Sequence, residues 1–559
     1  VIVIEVERAA TVGRMHEPMP GPTERRHILT VSVEEYFHGG ALANVVLRKH
    51  WNRFESRIDR SVDEALAVLD RFGAKATFFV LGLLAERDPA LVRRIADAGH
   101  EVASRGFWPR GVDGMMAEEF AEDLDRTKAA LEAAGSNVVV GYRSPRWIRR
   151  EDIWVLDVLA RKGYRYDASI NPVLRRFAGM PQFFAVGEHQ LAGGRLWEVP
   201  VSTASWFGQR VAIGGGNWMR QLPHALLSGA VRKWDRSRRE PLVFYFTSWE
   251  LDLEQPQITA VSALSRMRQY RNLARTRQSL ERYLQLYRFG SIAQHLGLTL
   301  TPTEPVAVRK PVAPVSEIQS TVPRTQLAVV VPIYNEEENI PYLLRTMQTV
   351  QQRLADRYDL QFVLVDDRSK DSSWEVMQRS AIGRNDVQLV RHDHNRGVAA
   401  AIMTGIRAAK ADIVASIDCD CSYDPMELER MVPMLADADV VTASPYHPDG
   451  QVLNVPHWRL FLSRGLSWIY RRILGTDLHT WTSCFRIYRR DKVVDIELQN
   501  GGFLGVAEVL IRMLRRGARV REYPTLLEAR LLGVSKMKTL RTVRGHLGLL
   551  WQVLRRKVS

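Results

Sequence analysis

The stretch Asp412-Ile413-Val414-Ala415-Ser416-Ile417-Asp418-Cys419-Asp420 decides how this chain is read. Ile413 to Ile417 alternates and β-branches like a buried strand, so the two carboxylates emerge at a strand's carboxyl end. Open α/β sheets bind their ligands at that edge. Two aspartates one residue apart there can hold a hard divalent cation, and such a cation neutralises a departing diphosphate. Acidic pairs at strand ends are also common as solvated turns, so the neighbouring segments carry the decision.

Those neighbours repeat the pattern. Leu327-Ala328-Val329-Val330-Val331-Pro332-Ile333-Tyr334-Asn335-Glu336-Glu337 reads as a buried strand running into a polar loop and then a helix. Phe362-Val363-Leu364-Val365 ends in Asp366-Asp367-Arg368-Ser369, and Asn395-Arg396-Gly397-Val398 opens a helix of small residues. Further upstream, Ile28-Leu29-Thr30-Val31 leads into Ser32-Val33-Glu34-Glu35-Tyr36-Phe37-His38. A helix from Ser61 through Phe72, a strand over Ala76 to Val80, a helix from Pro89 to Ala98 and a strand edge at Gly99 to Ser104 follow. Alternation of this kind, sustained in both halves, gives an α/β fold class: a barrel or wound sheet first, a wound sheet second. Between them, residues 301–325 hold several prolines and little apolar periodicity, as an extended linker does. The expected division is a flexible arm over 1–26, a barrel over 27–300, the linker over 301–325, a second α/β domain over 326–540 and a basic amphipathic helix over 541–559.

A chain of 559 residues is too long for one ordinary core. The 78 Lys and Arg against 63 Asp and Glu give a net charge of +15, which favours phosphates, nucleotides or acidic lipid surfaces. No basic motif studded with aromatics and no zinc-finger spacing points to nucleic acid. Cys419, Cys421 and Cys484 are the only cysteines. So sparse and odd a set reads as reduced thiols in a cytoplasmic protein, and Cys419 and Cys421 as core-facing residues rather than zinc ligands. No apolar run reaches the length of a membrane span, and residues 1–26 hold no signal-peptide core.

The first half carries a family resemblance. Lys75-Ala76-Thr77-Phe78-Phe79-Val80-Leu81-Gly82, Gly99-His100-Glu101-Val102-Ala103-Ser104, Gly141-Tyr142-Arg143-Ser144-Pro145, Tyr166-Asp167-Ala168-Ser169-Ile170 and Phe244-Tyr245-Phe246 look like successive motifs of NodB-homology polysaccharide deacetylases. The likeness implies a distorted (β/α) barrel. That family's chemistry uses an aspartate base, a metal held by a carboxylate and two histidines, and a histidine acid. Here Ser32 stands for the first Asp of the motif that continues to Glu34, Arg105 and Pro109 stand at the two histidine positions, and Thr247 stands at the late histidine. A guanidinium repels a metal and proline offers it no ligand, so no metal is expected in this barrel and deacetylation is not its activity. His38 and His100 read as structural. A groove in which Arg143, Arg105, Trp108 and Trp147 bind or position a glycan is one reading, and a barrel kept for packing is the other.

The acidic strand ends of the second half resemble the nucleotide-sugar site of family-2 glycosyltransferases, with a GT-A fold. The likeness implies that Pro332, Tyr334 and Glu336 border the base, and that Asp366, Asp367, Asn395 and Gly397 belong to the nucleotide-sugar site. It also implies that Asp418 and Asp420 hold the ribose diphosphate and a Mg or Mn ion. Segments at Trp458 to Arg464, Thr482 to Arg486 and Arg530 to Met537 are similar to those of polyprenyl-phosphate glycosyltransferases and dolichyl-phosphate mannose synthases. Arg530 and Lys536 then suit a phosphate-rich transition state, and Glu508 falls where an acceptor base is carried; as an exposed helix carboxylate it reads equally as structural.

At the end of the chain Val543, Leu547, Leu550, Trp551 and Leu554 share one helical face, with Arg541, Arg544, Arg555, Arg556 and Lys557 supplying charge. With Leu466 to Leu474 it is expected at the inner face of an anionic membrane, without spanning it; docking on the protein core is the alternative. The expected function is an inverting, metal-dependent transfer from a UDP- or GDP-linked sugar to a lipid-linked or saccharide acceptor. A bifunctional deacetylase-transferase using Glu34 and His38, and a non-catalytic scaffold, are the competing readings.

Overall fold

The computed structural model describes residues 25–300 except 44, 136–137, 174–176, 178 and 207–208, and residues 324–555 except 454, 456, 534–544, 547 and 552–553. The N-terminal arm before residue 25, most of the linker, Lys536, Arg541, Val543, Arg544, Leu547, Arg556 and Lys557 lie outside the described residues.

The described chain forms two compact units that do not simply follow one another along the sequence. Residues 25–39, 57–255 and 270–300 make the first; residues 40–56, 256–269 and 324–555 make the second. The expected boundary near residue 300 therefore leaves out two stretches of the N-terminal half that fold with the C-terminal one.

The first unit is built on a nine-stranded sheet. Its path runs from Val243–Thr247 through Arg26–Val33, Thr77–Val80, Glu101–Ser104, Gly141–Tyr142, Tyr166–Asp167 and Gly194–Glu198 to Gly187–Leu191, with Arg288–Gly290 also paired to Arg26–Val33. Gly187–Leu191 and Gly194–Glu198 form an antiparallel hairpin and the other pairings are parallel, so the fold is the curled sheet of a half-barrel. Alternation along the strands explains why both faces are covered. Leu29, Val31, Phe78 and Val80 join Val62, Ala65 and Leu69 of the helix Ile58–Arg71 in one core. Ile28, Phe79, Ala103, Tyr166 and Val243 form a second on the opposite face. The helix Pro89–Asp97 begins with Pro89, and the Asp88 side chain accepts a hydrogen bond from the Leu91 amide. Gly141 is required because a Cβ there would stand 1.9 Å from the Tyr166 ring.

The second unit holds a seven-stranded sheet in the order Val387–Arg391, Tyr358–Asp366, Thr325–Ile333, Ile413–Ser416, Arg486–Arg489, Val440–Ser444, Val520–Pro524. The first four strands are parallel, and Arg486–Arg489 runs against its two neighbours. Register brings the polar ends together. Asp366 pairs with Ile333, and Ile413–Ser416 lies beside Leu327–Val330, so the strand carrying Asp418 ends at the same edge as the one leading to Glu336. The helix Val398–Ala408 sits tightly on this sheet through Gly405, where an added Cβ would come within 2.2 Å of Val330.

Candidate functional site

The carboxyl edge of the second sheet gathers the acidic residues singled out in the sequence. Past Ile413–Ser416 the chain turns, with the Cys421 amide donating to the Asp418 carbonyl and Cys421 at φ 51°. The period-two alternation continues through this turn: Cys419 and Cys421 are buried, while Asp418 and Asp420 are partly exposed. Burial raises both thiol pKa values, which fits core residues rather than metal-ready thiolates. Asp420 Oδ2 accepts from Arg530 Nε at 2.9 Å, and Arg530 Nη2 lies 2.9 Å from that oxygen and 3.0 Å from Glu336 Oε1. Glu336 Oε2 accepts from Asn339 Nδ2 at 2.6 Å. Burial opposes charge on Arg530, but Asp420 and Glu336 outweigh it and raise its pKa further. For Asp418, burial and the charge of Asp420 push the pKa up to about 7. The edge thus gathers three carboxylates, two of which share the Arg530 guanidinium.

The neighbouring loops are held by the next acidic pair. Asp366 is fully buried, accepts from the Ser369 amide and lies 2.9 Å from Arg391 Nε. Asp367 Oδ1 meets His392 Nδ1 at 2.7 Å and accepts from the Arg396 amide, while Oδ2 accepts from the Gly397 amide at 2.7 Å. Asn395 Nδ2 donates to the Asp367 carbonyl. Asp367 therefore anchors the Asn395–Gly397 loop, a use the sequence did not disclose. Gly397 adopts φ 95°, and a Cβ there would stand 2.6 Å from Gly501, so only glycine fits. Pro332 and Tyr334 are half-buried where Thr325–Ile333 runs out. Asn335, at φ 52°, receives the Lys370 amide on its side chain, and the Glu336 amide donates to Ser373 Oγ. His392, Asn335 and Ser373 were not singled out in the sequence; their one signal was position, just past an apolar strand or at a helix start.

Other expectations change. Glu508 is not an exposed helix carboxylate: it is 0% exposed and accepts from the Gln499 and Asn500 amides, Asn500 Nδ2 and Arg512 Nε. With both oxygens engaged, it holds the loop before its helix, and this geometry gives no support to a role as acceptor base. Arg486 is likewise fully buried, bracing the Val506 and Trp481 carbonyls at 2.6 Å each. The last segment buries Leu549 and Leu550 in the core, and Tyr470 Oη meets His546 Nδ1 at 2.8 Å. Trp551 and Leu554 remain exposed, as do Phe461 and Trp468 of the helix His457–Leu474, with Arg555 stacked on Trp551. An open cavity of about 430 Å³ lies alongside, lined by Ile473, Leu474, Ile511, Leu514, Arg515 and Leu554 among others.

In the first unit, Arg105 donates to Glu34 Oε2 from Nε at 3.2 Å and from Nη2 at 3.0 Å, and to Ser32 Oγ at 3.0 Å. Three of the degenerate positions thus form one buried cluster centred on a guanidinium. Pro109 is buried, and the Thr247 amide donates to Glu250 as the cap of a short turn. Arg143 is 1% exposed, bonds Ala168 O and Thr30 Oγ1, and lies 4.3 Å above the Phe79 ring. That burial removes it from a glycan surface and lowers its pKa to about 9. Trp108 and Trp147 are half-buried. His38 and His100 are buried with pKa values lowered by burial to about 3 and about 4, as neutral structural histidines are. Among the described residues, no group of three or more His, Cys, Asp and Glu side chains is arranged to hold a metal ion.

Comparison with known proteins finds different families in the two halves of the sequence. The model for glycosyl transferase family 2 matches residues 328–496, that for polysaccharide deacetylase matches 53–166, and a domain of unknown function (DUF3473) matches 168–297. The polyprenol monophosphomannose synthase of Mycolicibacterium smegmatis is 30% identical over 224 residues, 38% of this chain and 82% of that protein. The chain belongs to glycosyl transferase family 2. This family-2 transferase carries a polysaccharide deacetylase domain at its N-terminal side and has the GT-A fold in its second unit. The dolichol-phosphate mannosyltransferase of Pyrococcus furiosus is 28% identical over 216 residues, 38% of this chain and 59% of its own length. The chain thus spans less than two thirds of that relative. A solved glucosyl-3-phosphoglycerate synthase of Mycobacterium tuberculosis, in complex with Mn2+, UDP-glucose and phosphoglyceric acid, superposes with a TM-score of 0.32 and 19% identity, covering 41% of this chain and 79% of its own.

Replacing Glu508 by Gln removes the charge that Arg512 and two backbone amides share. The expected cost is about 1–3 kcal/mol of stability, read as a lower denaturation midpoint, with nucleotide affinity unchanged; an unchanged midpoint would show that the carboxylate is not structural.

Proposed function

We propose that the second unit transfers a sugar, with inversion, from a UDP- or GDP-linked donor to the phosphate of a lipid-linked acceptor. The observation that carries this reading is the Asp418–Asp420 pair at the sheet edge, joined to Glu336 through Arg530. Two carboxylates completed by diphosphate oxygens suit Mg or Mn, which keep few protein ligands. The chemistry of the edge fits as well, since Asp418 is raised to about 7 by burial and by Asp420 and would be relieved by a divalent charge. Asp418 and Asp420 would hold that ion, which supplies charge neutralisation to the leaving diphosphate. Arg530, aimed along the same edge, adds a guanidinium where negative charge develops, and Lys536 a point charge. Pro332, Tyr334 and Glu336 would border the base. Asp367, by fixing Asn395 and Gly397, would shape the wall of the ribose-diphosphate site.

The engagement of Glu508 supports a phosphate acceptor. A sugar hydroxyl calls for a base, whereas a phosphate oxygen is already anionic; Glu508 is fully engaged elsewhere, which favours the phosphate. The relatives named as acting on polyprenol and dolichol phosphate lie on the same side. An anionic membrane surface completes the reading. Phe461, Trp468, Trp551 and Leu554 offer apolar anchors, Arg555 and Arg515 offer charge, and the groove lined by Ile473, Ile511 and Leu514 suits an apolar chain. No helix among the described residues is long and apolar enough to cross a membrane.

The deacetylase domain is proposed to bind or position glycan without hydrolysing it. The guanidinium of Arg105 already satisfies Glu34 and Ser32, so a metal there would face a fixed positive charge.

Transfer from GDP- and UDP-sugars to polyprenyl phosphate in anionic phospholipid vesicles is the expected activity. Product on saccharide hydroxyls with none on the lipid phosphate would refute the acceptor. For the deacetylase domain, acetate release from N-acetylglucosamine oligomers with added zinc or cobalt is expected at background. Release that is abolished by Glu34→Gln would revive the bifunctional reading.

A further inference from the structure

The loop carrying Arg530 is held at both ends by residues of the N-terminal half of the sequence that fold into the second unit. At its start, Glu528 meets Lys49 Nζ at 2.6 Å and His50 Nε2 at 2.7 Å. Burial opposes charge on Glu528, but the hydrogen bonds from His50 and Lys49 outweigh it and lower its pKa to about 2. Lys49 and His50 belong to the helical turn Arg48–Arg53, itself seated by Arg53 on Asp424, by the Arg53 carbonyl on Arg345 Nε, and by Phe54 against the Tyr342 ring at 5.1 Å. At the far side, Ile258 bridges Leu532 in antiparallel fashion, and the Thr259 amide donates to Leu531 O at 2.8 Å. The Thr259 hydroxyl donates to Gly533 O at 2.6 Å. Ile258, Leu531 and Leu532 are all buried.

Geometry makes this second clamp consequential for Arg530. Gly533 sits at φ 69° with Asn339 Nδ2 only 3.2 Å from where a Cβ would be. Asn339 in turn holds Glu336, the carboxylate that shares Arg530 with Asp420. The position of the Gly533 carbonyl and that of the Arg530 guanidinium are therefore set within one small cluster. Thr259 lies 272 residues before Leu531 and outside the part of the chain that matches the family-2 model, residues 328–496.

We propose that Thr259 is a positioning residue for the transferase: its hydroxyl on the Gly533 carbonyl, beside the Ile258–Leu532 bridge, sets where Arg530 places its guanidinium over the diphosphate site. The clamp at Glu528 fixes the other end of the same loop. The transferase thus depends on a stretch of the N-terminal half, Pro256 to Gln269, that folds into the second unit. This rests on the reading of that edge as a nucleotide-diphosphate site, and the test separates the two.

Full-length wild type, Thr259→Val, Thr259→Ser, Arg530→Ala and the Thr259→Val/Arg530→Ala double variant are compared in two ways. The first is hydrogen exchange over residues 526–533, which needs no ligand. Thr259→Val is expected to raise exchange there at least several-fold, with Thr259→Ser restoring it and the denaturation midpoint unchanged; unaltered exchange overturns the proposal. The second is calorimetric binding of UDP and of GDP in Mn2+. Thr259→Val is expected to weaken whichever nucleotide binds about tenfold, with Thr259→Ser near wild type and no added loss in the Arg530→Ala background. An equal loss in that background means that Thr259 does not act through Arg530 and overturns the proposal. Wild type that binds neither nucleotide refutes the nucleotide-site reading itself, and with it the positioning role that rests on that site, whatever the exchange shows.

Discussion

Carboxylates crowded at a sheet edge need a cation, and the second unit is arranged around that need. Asp418, Asp420 and Glu336 come from two different strand ends brought level by parallel pairing, and Arg530 is the cation drawn from the protein. Removing water makes the mutual repulsion of like charges larger, which appears as the elevated pKa of Asp418. Asp367, one strand over, gives its oxygens to His392 and two backbone amides and so holds the Asn395–Gly397 loop.

The deacetylase domain meets a related constraint in a closed form. Glu34 is buried, and Arg105 supplies its counter-charge together with a hydrogen bond to Ser32. Arg105 neutralises Glu34 there, whereas at the transferase edge Arg530 is shared between Asp420 and Glu336, with Asp418 beside them. The difference lies in how far each cluster is already satisfied, and it is what separates the roles proposed for the two units.

Much of this was legible in the sequence because buried parallel strands write themselves as apolar runs with polar residues at their ends. That is why Asp366, Asp367, Asp418 and Asp420 stood out, and why Ser32, Glu34 and Arg105 fell into one cluster. What sequence could not show was where a side chain spends its hydrogen bonds. Glu508 looked exposed, yet its partners are backbone amides eight and nine residues before it in the chain, which no periodicity marks. Arg143 looked like a surface contact, yet it bonds a carbonyl and a threonine inside the sheet. The stretches 40–56 and 256–269 carry no strong pattern, and their membership of the second unit depends on pairings across hundreds of residues.

The most direct measurement is the affinity of the full-length protein for GDP and UDP, with and without Mn2+, beside an Asp420→Ala variant. Binding of one nucleotide that requires the ion and is lost in the variant is the expected result. Binding that is indifferent to both the ion and Asp420, or no binding at all by folded protein, would contradict the claim that the charged sheet edge is a metal-diphosphate site.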